Sequence, residues 1–230
     1  MYINNEVISY LQANRILALK LDHAVSAVGQ QVTNQVETLG KGATRLLYYM
    51  SCFTDEYNDV CQQQKTEDLR FRNAVIRIIQ QVDVVYEMLR VYFDETFKYK
   101  TNAQLEHIKK ALMAVNVHIA ACTLTGAGYA LAVATSVRSG LNLSMQLSAL
   151  TGRTAGTAAG VVATYGLVQK AADSARRLYV QSPAYYSALY MQQLEMMYFL
   201  IEPVFEHAGA FETQWSSDSD IANIITRMIR

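Results

Sequence analysis

The stretch that decides the fold is ALMAVNVHIAACTLTGAGYALAVATSV, residues 111–137, which contains no aspartate, glutamate, lysine or arginine. No acidic residue occurs anywhere between Glu106 and Asp173. Within residues 111–169 alanine, glycine, threonine and serine dominate over the larger aliphatic residues. A helix of this composition is apolar on every face, which is typical of a helix buried in a protein core or of one that enters a bilayer.

The rest of the chain predicts long helices. Only Pro183 and Pro203 occur, so the first 182 residues contain no helix-breaking proline. Apolar residues recur at three- and four-residue steps before and after the uncharged stretch, and no alternating pattern predicts a sheet. We therefore predict an all-α fold, a multi-helix bundle of long helices around a central hydrophobic hairpin that is rich in small residues.

Local signals predict where several helices begin and end. Thr66 predicts one helix start, Thr101 with Gln104 predicts another, and Ser182-Pro183 predicts a third helix that ends near Pro203. A last short helix is expected after the polar residues 216–220. A heptad seam for packing on neighbouring helices is predicted by Val75, Ile79, Val82, Tyr86, Leu89 and Phe93.

The length of 230 residues suffices for one sizeable core. We predict a single helical domain over residues 1–230 with three parts. Residues 1–110 form amphipathic helices, residues 111–169 form the apolar glycine-zipper hairpin, and residues 170–230 form amphipathic C-terminal helices.

Regularly spaced glycines follow the uncharged stretch. Gly152, Gly156 and Gly160 form a GxxxGxxxG motif, and Gly166 lies just beyond it. Small residues four positions apart leave a groove on one helix face, where another backbone can approach closely in lipid. The predicted membrane-insertion and oligomerisation site comprises Gly126, Gly128, Gly140, Gly152, Gly156, Gly160, Gly166, Arg138 and Arg153.

Arg138 and Arg153 are the only lysines or arginines in residues 111–169, and they separate the uncharged runs. In a membrane they would meet lipid headgroups or line a water-filled passage. Solvated loop residues of a hairpin in water are an equally compatible role. The glycines at 126, 128, 140 and 152 predict turns.

Motifs for catalysis and cofactors are missing from the sequence. There is no P-loop, no HExxH and no GxSxG, and the four histidines are scattered. We predict no enzymatic activity, no cofactor and no metal. The net charge of zero argues against a nucleic-acid partner. Cys52, Cys61 and Cys122 lack metal-type spacing and are expected to be buried thiols in a reducing compartment.

Amphipathic helices around a sequestered apolar hairpin resemble the α-helical pore-forming bacterial toxins of the colicin type. The glycine spacing is similar to that of small glycine-zipper effectors delivered by contact-dependent or type VI secretion. The resemblance implies a protein that inserts residues 111–169 into a target bacterial membrane and oligomerises there. It also implies the lipid bilayer, further copies of the chain, and a cognate immunity protein or secretion machinery as partners.

The N-terminal residues lack a basic region followed by an apolar run, so no Sec signal peptide is predicted. We expect synthesis in the cytoplasm, followed either by retention there or by export through a non-Sec route to a target cell membrane. The alternative function is a non-enzymatic helical interaction protein, such as a secretion chaperone, an immunity factor or a structural bundle. The hairpin would then be a permanent core or an oligomer interface.

Overall fold

The computed structural model describes residues 40–42, 45, 49, 52, 58–80, 82–117, 119, 125–141, 143, 158–211 and 217–229. No strand occurs among these residues, which confirms the all-α fold class. A 3-10 helix spans Glu195–Leu200. The α-helices are α1 (Asn58–Ile79), α2 (Val84–Phe97), α3 (Asn102–Ala114), α4 (Gly126–Gly140), α5 (Ala158–Gln181), α6 (Pro183–Met191), α7 (Glu202–Ala208) and α8 (Asp218–Ile229).

The chain divides into two compact units. The first unit comprises residues 1–71 and 153–173, and the second comprises residues 72–152 and 174–230. Of the three chain boundaries between the units, those after residues 71 and 173 fall inside α1 and α5. The single domain over residues 1–230 stays a prediction.

Helix α2 is the centre of the second unit. Helix α4 packs along α2, and α6 and the 3-10 helix also contact α2. Helix α8 packs on α3, α4 and α7. Helix α4, whose residues 126–137 carry no charge, is therefore held among α2, α3 and α8.

An aromatic cluster fills the core around α2. The Tyr129 ring lies 5.0 Å from that of Phe97, Phe97 stacks on Phe93 at 5.8 Å, and Tyr92 lies 4.8 Å from Phe205. Such pairs add about 0.5–1.5 kcal/mol each beyond their burial. Further rings of this cluster are Tyr185, Tyr198 and Phe211.

Two buried tyrosines of this cluster differ in the hydrogen bonding of their hydroxyl groups. The Tyr185 hydroxyl donates to the Met88 carbonyl at 2.8 Å, whereas the Tyr198 hydroxyl has no hydrogen-bond partner among the described residues. We expect Tyr185→Phe to lower the free energy of unfolding by about 1 kcal/mol, because a satisfied bond is lost. Tyr198→Phe should leave that free energy unchanged or raise it. Urea unfolding of both variants measures the difference, and equal losses would contradict it.

The predicted helix start at Thr101 is confirmed. Its side chain accepts from the Gln104 amide at 3.3 Å, and the Gln104 side chain accepts from the Thr101 amide at 3.0 Å. The start at Thr66 is wrong, because this residue lies inside α1. Its hydroxyl donates to the Gln62 carbonyl at 2.8 Å, a bond that lets threonine remain within a helix.

The continuous heptad seam is wrong, because α1 ends at Ile79 and α2 begins at Val84. Asp83 separates the two helices, and its carboxylate accepts from the Tyr86 amide at 3.0 Å as an N-cap. Leu89 and Phe93 beyond the break are buried as predicted, whereas Ile79 before it is exposed.

The start of α6 at Ser182-Pro183 is confirmed, but the helix ends at Met191 and not near Pro203. It ends because Gln193 takes a left-handed conformation, with φ of 56°, and the Leu194 amide donates back to the Leu189 carbonyl. Pro203 lies in the first turn of α7. Proline is tolerated there because its missing N–H would have no partner within the helix. The predicted C-terminal helix is confirmed as α8.

Candidate functional site

Helix α4 is formed by the last part of the uncharged stretch, residues 126–137, together with Arg138, Ser139 and Gly140. Thr125 caps it, because its hydroxyl oxygen accepts from the Gly128 amide at 3.2 Å. Leu131 and Thr135 are exposed, so the helix is not buried on all sides as a fully apolar helix would be. The buried face consists of Tyr129, Ala130, Val133, Ala134 and Val137.

Two of the predicted glycines lie where α4 approaches other backbone. A Cβ atom at Gly126 would lie 3.0 Å from the Phe97 carbonyl oxygen, and one at Gly140 would lie 3.2 Å from that of Ile229. These glycines therefore permit close packing at both ends of α4. Gly128 lies inside α4 and not in a turn, because Thr125 caps the helix ahead of it.

We expect Gly126→Ala to lower the free energy of unfolding by about 1–2 kcal/mol. The added methyl group would press on backbone that cannot easily move, at a cost that exceeds its gain in helix propensity. The matched control is Gly40→Ala, because Gly40 is helical and a Cβ atom there would meet nothing within 4 Å. That change should be neutral or stabilising. Urea unfolding measures both variants. Equal changes in their free energies of unfolding would contradict the role of close packing at Gly126.

Arg138 lies in the last turn of α4 and forms an ion pair with Asp83. Its Nε atom donates to both carboxylate oxygens, at 2.9 and 2.8 Å. Asp83 also caps α2, so one carboxylate links the start of α2 to the end of α4. In this state Arg138 holds the last turn of α4 to the start of α2.

The other predicted site residues are only partly described. Gly160 and Gly166 lie in α5, and Gly166 is buried. Gly152, Gly156 and Arg153 lie outside the described residues. The GxxxGxxxG face as a whole therefore stays a prediction.

The first unit contains a buried arginine that no sequence pattern indicated. Arg45 is fully buried, and all five of its N–H groups have acceptors. Its Nη2 donates to Asp68 at 2.6 Å, and its Nη1 donates to Glu67 at 3.0 Å and to Gln169 at 3.2 Å. The remaining acceptor is the Gln64 carbonyl. Arg45 thus links α1 to α5 within this unit.

Asp68 receives hydrogen bonds from both Arg45 and Tyr49. Burial raises the pKa of Asp68 above its ordinary value of 3.8, although the nearby Arg45 charge opposes this change. The folded chain therefore binds a proton at Asp68 more readily than the unfolded chain does. The part of the free energy of unfolding that depends on protonation of Asp68 is present below pH 3.8 and is lost as the pH rises through the raised pKa.

Cys52 and Cys61 form a disulfide bond. The expectation of reduced thiols is therefore wrong for these two residues, whose separation of nine positions carries no signal that distinguishes a disulfide from two thiols. Cys122 lies outside the described residues.

No known protein family, characterised protein or solved structure matches this chain. The site must therefore be interpreted from its own residues. Within the described ranges, no group of three or more histidine, cysteine or acidic side chains is placed to hold a metal ion.

Membrane-spanning helices were predicted for the inserted state. Among the helices that the structure describes, none is both long and apolar enough to cross a membrane.

Proposed function

We propose that the chain is a non-enzymatic, membrane-active protein of the pore-forming type, which inserts residues 111–169 into a target bacterial membrane. The observation that supports this proposal is the placement of α4. Its residues 126–137 carry no charge, and it buries one face against helices α2, α3 and α8. Before insertion, the apolar residues of such a segment must be covered by other helices of the chain, because their exposure to water is unfavourable.

Insertion requires more residues than α4 provides in this state. A helix of 15 residues is about 22 Å long, whereas the hydrocarbon core of a bilayer is about 30 Å thick. The uncharged residues 119–137 would span about 28 Å as one helix. In the inserted state Arg138 would release Asp83 and lie at the headgroups, and copies of the chain would associate through the glycines at 152, 156 and 160.

The test locks α4 in place with a reversible bond. We choose Gly140→Cys with Ile229→Cys, because a Cβ atom at Gly140 would lie 3.8 Å from the Ile229 Cα, within the reach of a disulfide. Vesicles of phosphatidylethanolamine and phosphatidylglycerol that contain a fluorescent dye report leakage. We expect the oxidised double variant to leave the vesicles sealed. The reduced form should release the dye at least as readily as the natural chain, because the Cβ atom added at Gly140 presses on the Ile229 carbonyl oxygen.

The single variant Gly140→Cys is the matched control, and the natural chain with and without reductant controls for the Cys52–Cys61 bond. Mass spectrometry establishes whether the new bond has formed. Natural protein that leaves vesicles sealed at both neutral and acidic pH would overturn the proposal. Equal leakage from the oxidised and reduced double variants would show that leakage does not require α4 to separate from α8.

We also propose that the chain is exported by a non-Sec route and that its partners include a cognate immunity protein and secretion machinery. The Cys52–Cys61 disulfide supports it, because such bonds persist in oxidising compartments outside the cytosol.

The second candidate is an interaction protein in which α4 is a permanent core helix. The backbone approaches at Gly126 and Gly140 favour it, because such close packing is typical of a finished core. It predicts that the α4 amides exchange with solvent only on global unfolding, with or without vesicles. Faster α4 exchange in the presence of vesicles would exclude this candidate and support the first.

A further inference from the structure

Exposed apolar side chains lie on two segments of the second unit, residues 72–80 of α1 and residues 176–193 of α5 and α6. We call the exposed surface of these two segments the α1–α6 face. Val180 is 80% exposed and Met191 is 79% exposed, although both side chains are hydrophobic. The other exposed large apolar residues of this face include Ile76, Tyr179 and Tyr190.

Tyrosine rings join α5 to α6 on this face. The Tyr179 ring lies 5.1 Å from the Tyr186 ring, and Tyr186 stacks on Tyr190 at 5.8 Å. Met191 follows Tyr190 at the end of α6. The exposed rings and the methionine are therefore neighbours and not isolated surface residues.

Helix α1 joins the same surface just after α6. The Arg77 Nη1 atom donates to the Gln192 carbonyl at 2.7 Å, and the Asn73 amide donates to the Gln193 side chain at 3.2 Å. Ile76 and Arg77 lie three and four positions after Asn73, so the exposed Ile76 shares the side of α1 that meets these residues. The α1–α6 face is therefore continuous, and a continuous exposed apolar surface marks a site of interaction.

The charges of the α1–α6 face have one sign. Residues 72–80 and 176–193 contain four arginines and no aspartate, glutamate or lysine. Arg177 forms an ion pair with Glu202 at 2.7 Å, whereas the acceptor of Arg77 is an uncharged carbonyl. Arg72 is exposed. The partner that complements this face is therefore both negatively charged and able to take up apolar side chains.

The surface of an anionic phospholipid bilayer has both properties. Its headgroups are negatively charged, and tyrosine is enriched where they meet the acyl chains, because its ring is apolar and its hydroxyl group is polar. A second copy of the chain complements the face poorly. Symmetric pairing would place the same surface of two copies together, so that their arginines would repel each other.

We propose that the α1–α6 face docks the protein on an anionic phospholipid bilayer. The exposed tyrosines, Val180 and Met191 enter the boundary between headgroups and acyl chains, and the arginines pair with lipid phosphates. This inference rests on the proposed membrane activity and names the surface that first meets the lipid. Docking requires no movement of α4, so binding and leakage are separate measurements.

The test is sedimentation of the chain with vesicles of phosphatidylglycerol and phosphatidylcholine at neutral pH. We expect about tenfold tighter binding to these vesicles than to vesicles of phosphatidylcholine alone, and weaker binding as salt is added. The oxidised variant Gly140→Cys with Ile229→Cys should bind as the natural chain does. Loss of binding in this variant would assign vesicle binding to insertion and overturn docking. Binding without leakage by the natural chain would support docking and overturn insertion.

Two substitutions test whether the α1–α6 face is the surface that binds. Arg72→Gln should weaken binding to anionic vesicles about fivefold, because each arginine near such a surface contributes about that factor. Met191→Glu should weaken it about tenfold, because it removes an apolar contact and adds a charge of the same sign as the lipid.

The matched controls make the same changes elsewhere in the second unit. Arg227→Gln alters an exposed position of α8, and Met113→Glu alters an exposed position of α3. Both should leave the affinity unchanged, and circular dichroism verifies that all four variants are folded. Equal losses in the controls, or equal affinity of the natural chain for anionic and neutral vesicles, would overturn the proposal. A dimer in solution that Met191→Glu dissociates would assign the face to a second copy instead.

Discussion

Replacing Phe97 with alanine is expected to lower the free energy of unfolding by about 3–5 kcal/mol. The Phe97 ring is fully buried between Phe93 on the same helix and Tyr129 of α4. Its removal would leave a cavity at the contact between α2 and α4, because the close backbone approach at Gly126 limits how far α4 can collapse into the space. Urea unfolding followed by near-ultraviolet circular dichroism measures the loss.

Tyr99→Ala is the control for this change, because Tyr99 follows α2 and is 84% exposed. Substitutions at such positions usually change the free energy of unfolding by less than about 0.5 kcal/mol. A loss below about 1 kcal/mol in Phe97→Ala would show that the aromatic contact between α2 and α4 does not hold the second unit together.

Replacing Asp68 with alanine should destabilise the first unit by about 2–3 kcal/mol, because it would leave two N–H groups of the buried Arg45 guanidinium without acceptors, while Glu67 still pairs with its charge. Two N–H groups of Arg45 donate to Asp68, and Arg45 itself is fully buried. Amide exchange in residues 58–71 of α1 measures the effect within this unit.

The double variant Asp68→Ala with Arg45→Met controls for the loss of the carboxylate itself. It should recover most of the lost stability, because exchanging a buried ion pair for apolar side chains is often neutral. Equal losses in the single and double variants would show that the unsatisfied N–H groups of Arg45 are not the cause.

Sequence patterns were most informative where a signal and its partner lie within one helical turn. The capping pair Thr101 and Gln104 and the Ser182-Pro183 start need only neighbouring atoms, and both were predicted. Thr66 shows the limit of such signals, because the same side chain that can cap a helix can also bond back to the preceding turn.

The candidate site followed the sequence only in part. The absence of charged residues identified the stretch that contains most of α4. Residues without charge tend to be buried whichever residues they pack against, so composition alone predicts their burial. The ion pair of Arg138 with Asp83 joins residues 55 positions apart, and the hydrogen bond of Arg45 to Gln169 joins residues 124 positions apart. No periodic pattern links residues at such distances.

By itself the sequence predicted the all-α fold class and identified the uncharged stretch of residues 111–137. Composition and spacing suffice for that, because helix formation and burial depend on local hydrogen bonds and on the affinity of each side chain for water. Tertiary structure alone decided why Gly126 must be glycine, which carboxylate Arg138 pairs with and where Arg45 is buried. Each of these depends on the backbone or side chain of a distant residue, and only the folded chain brings the two together.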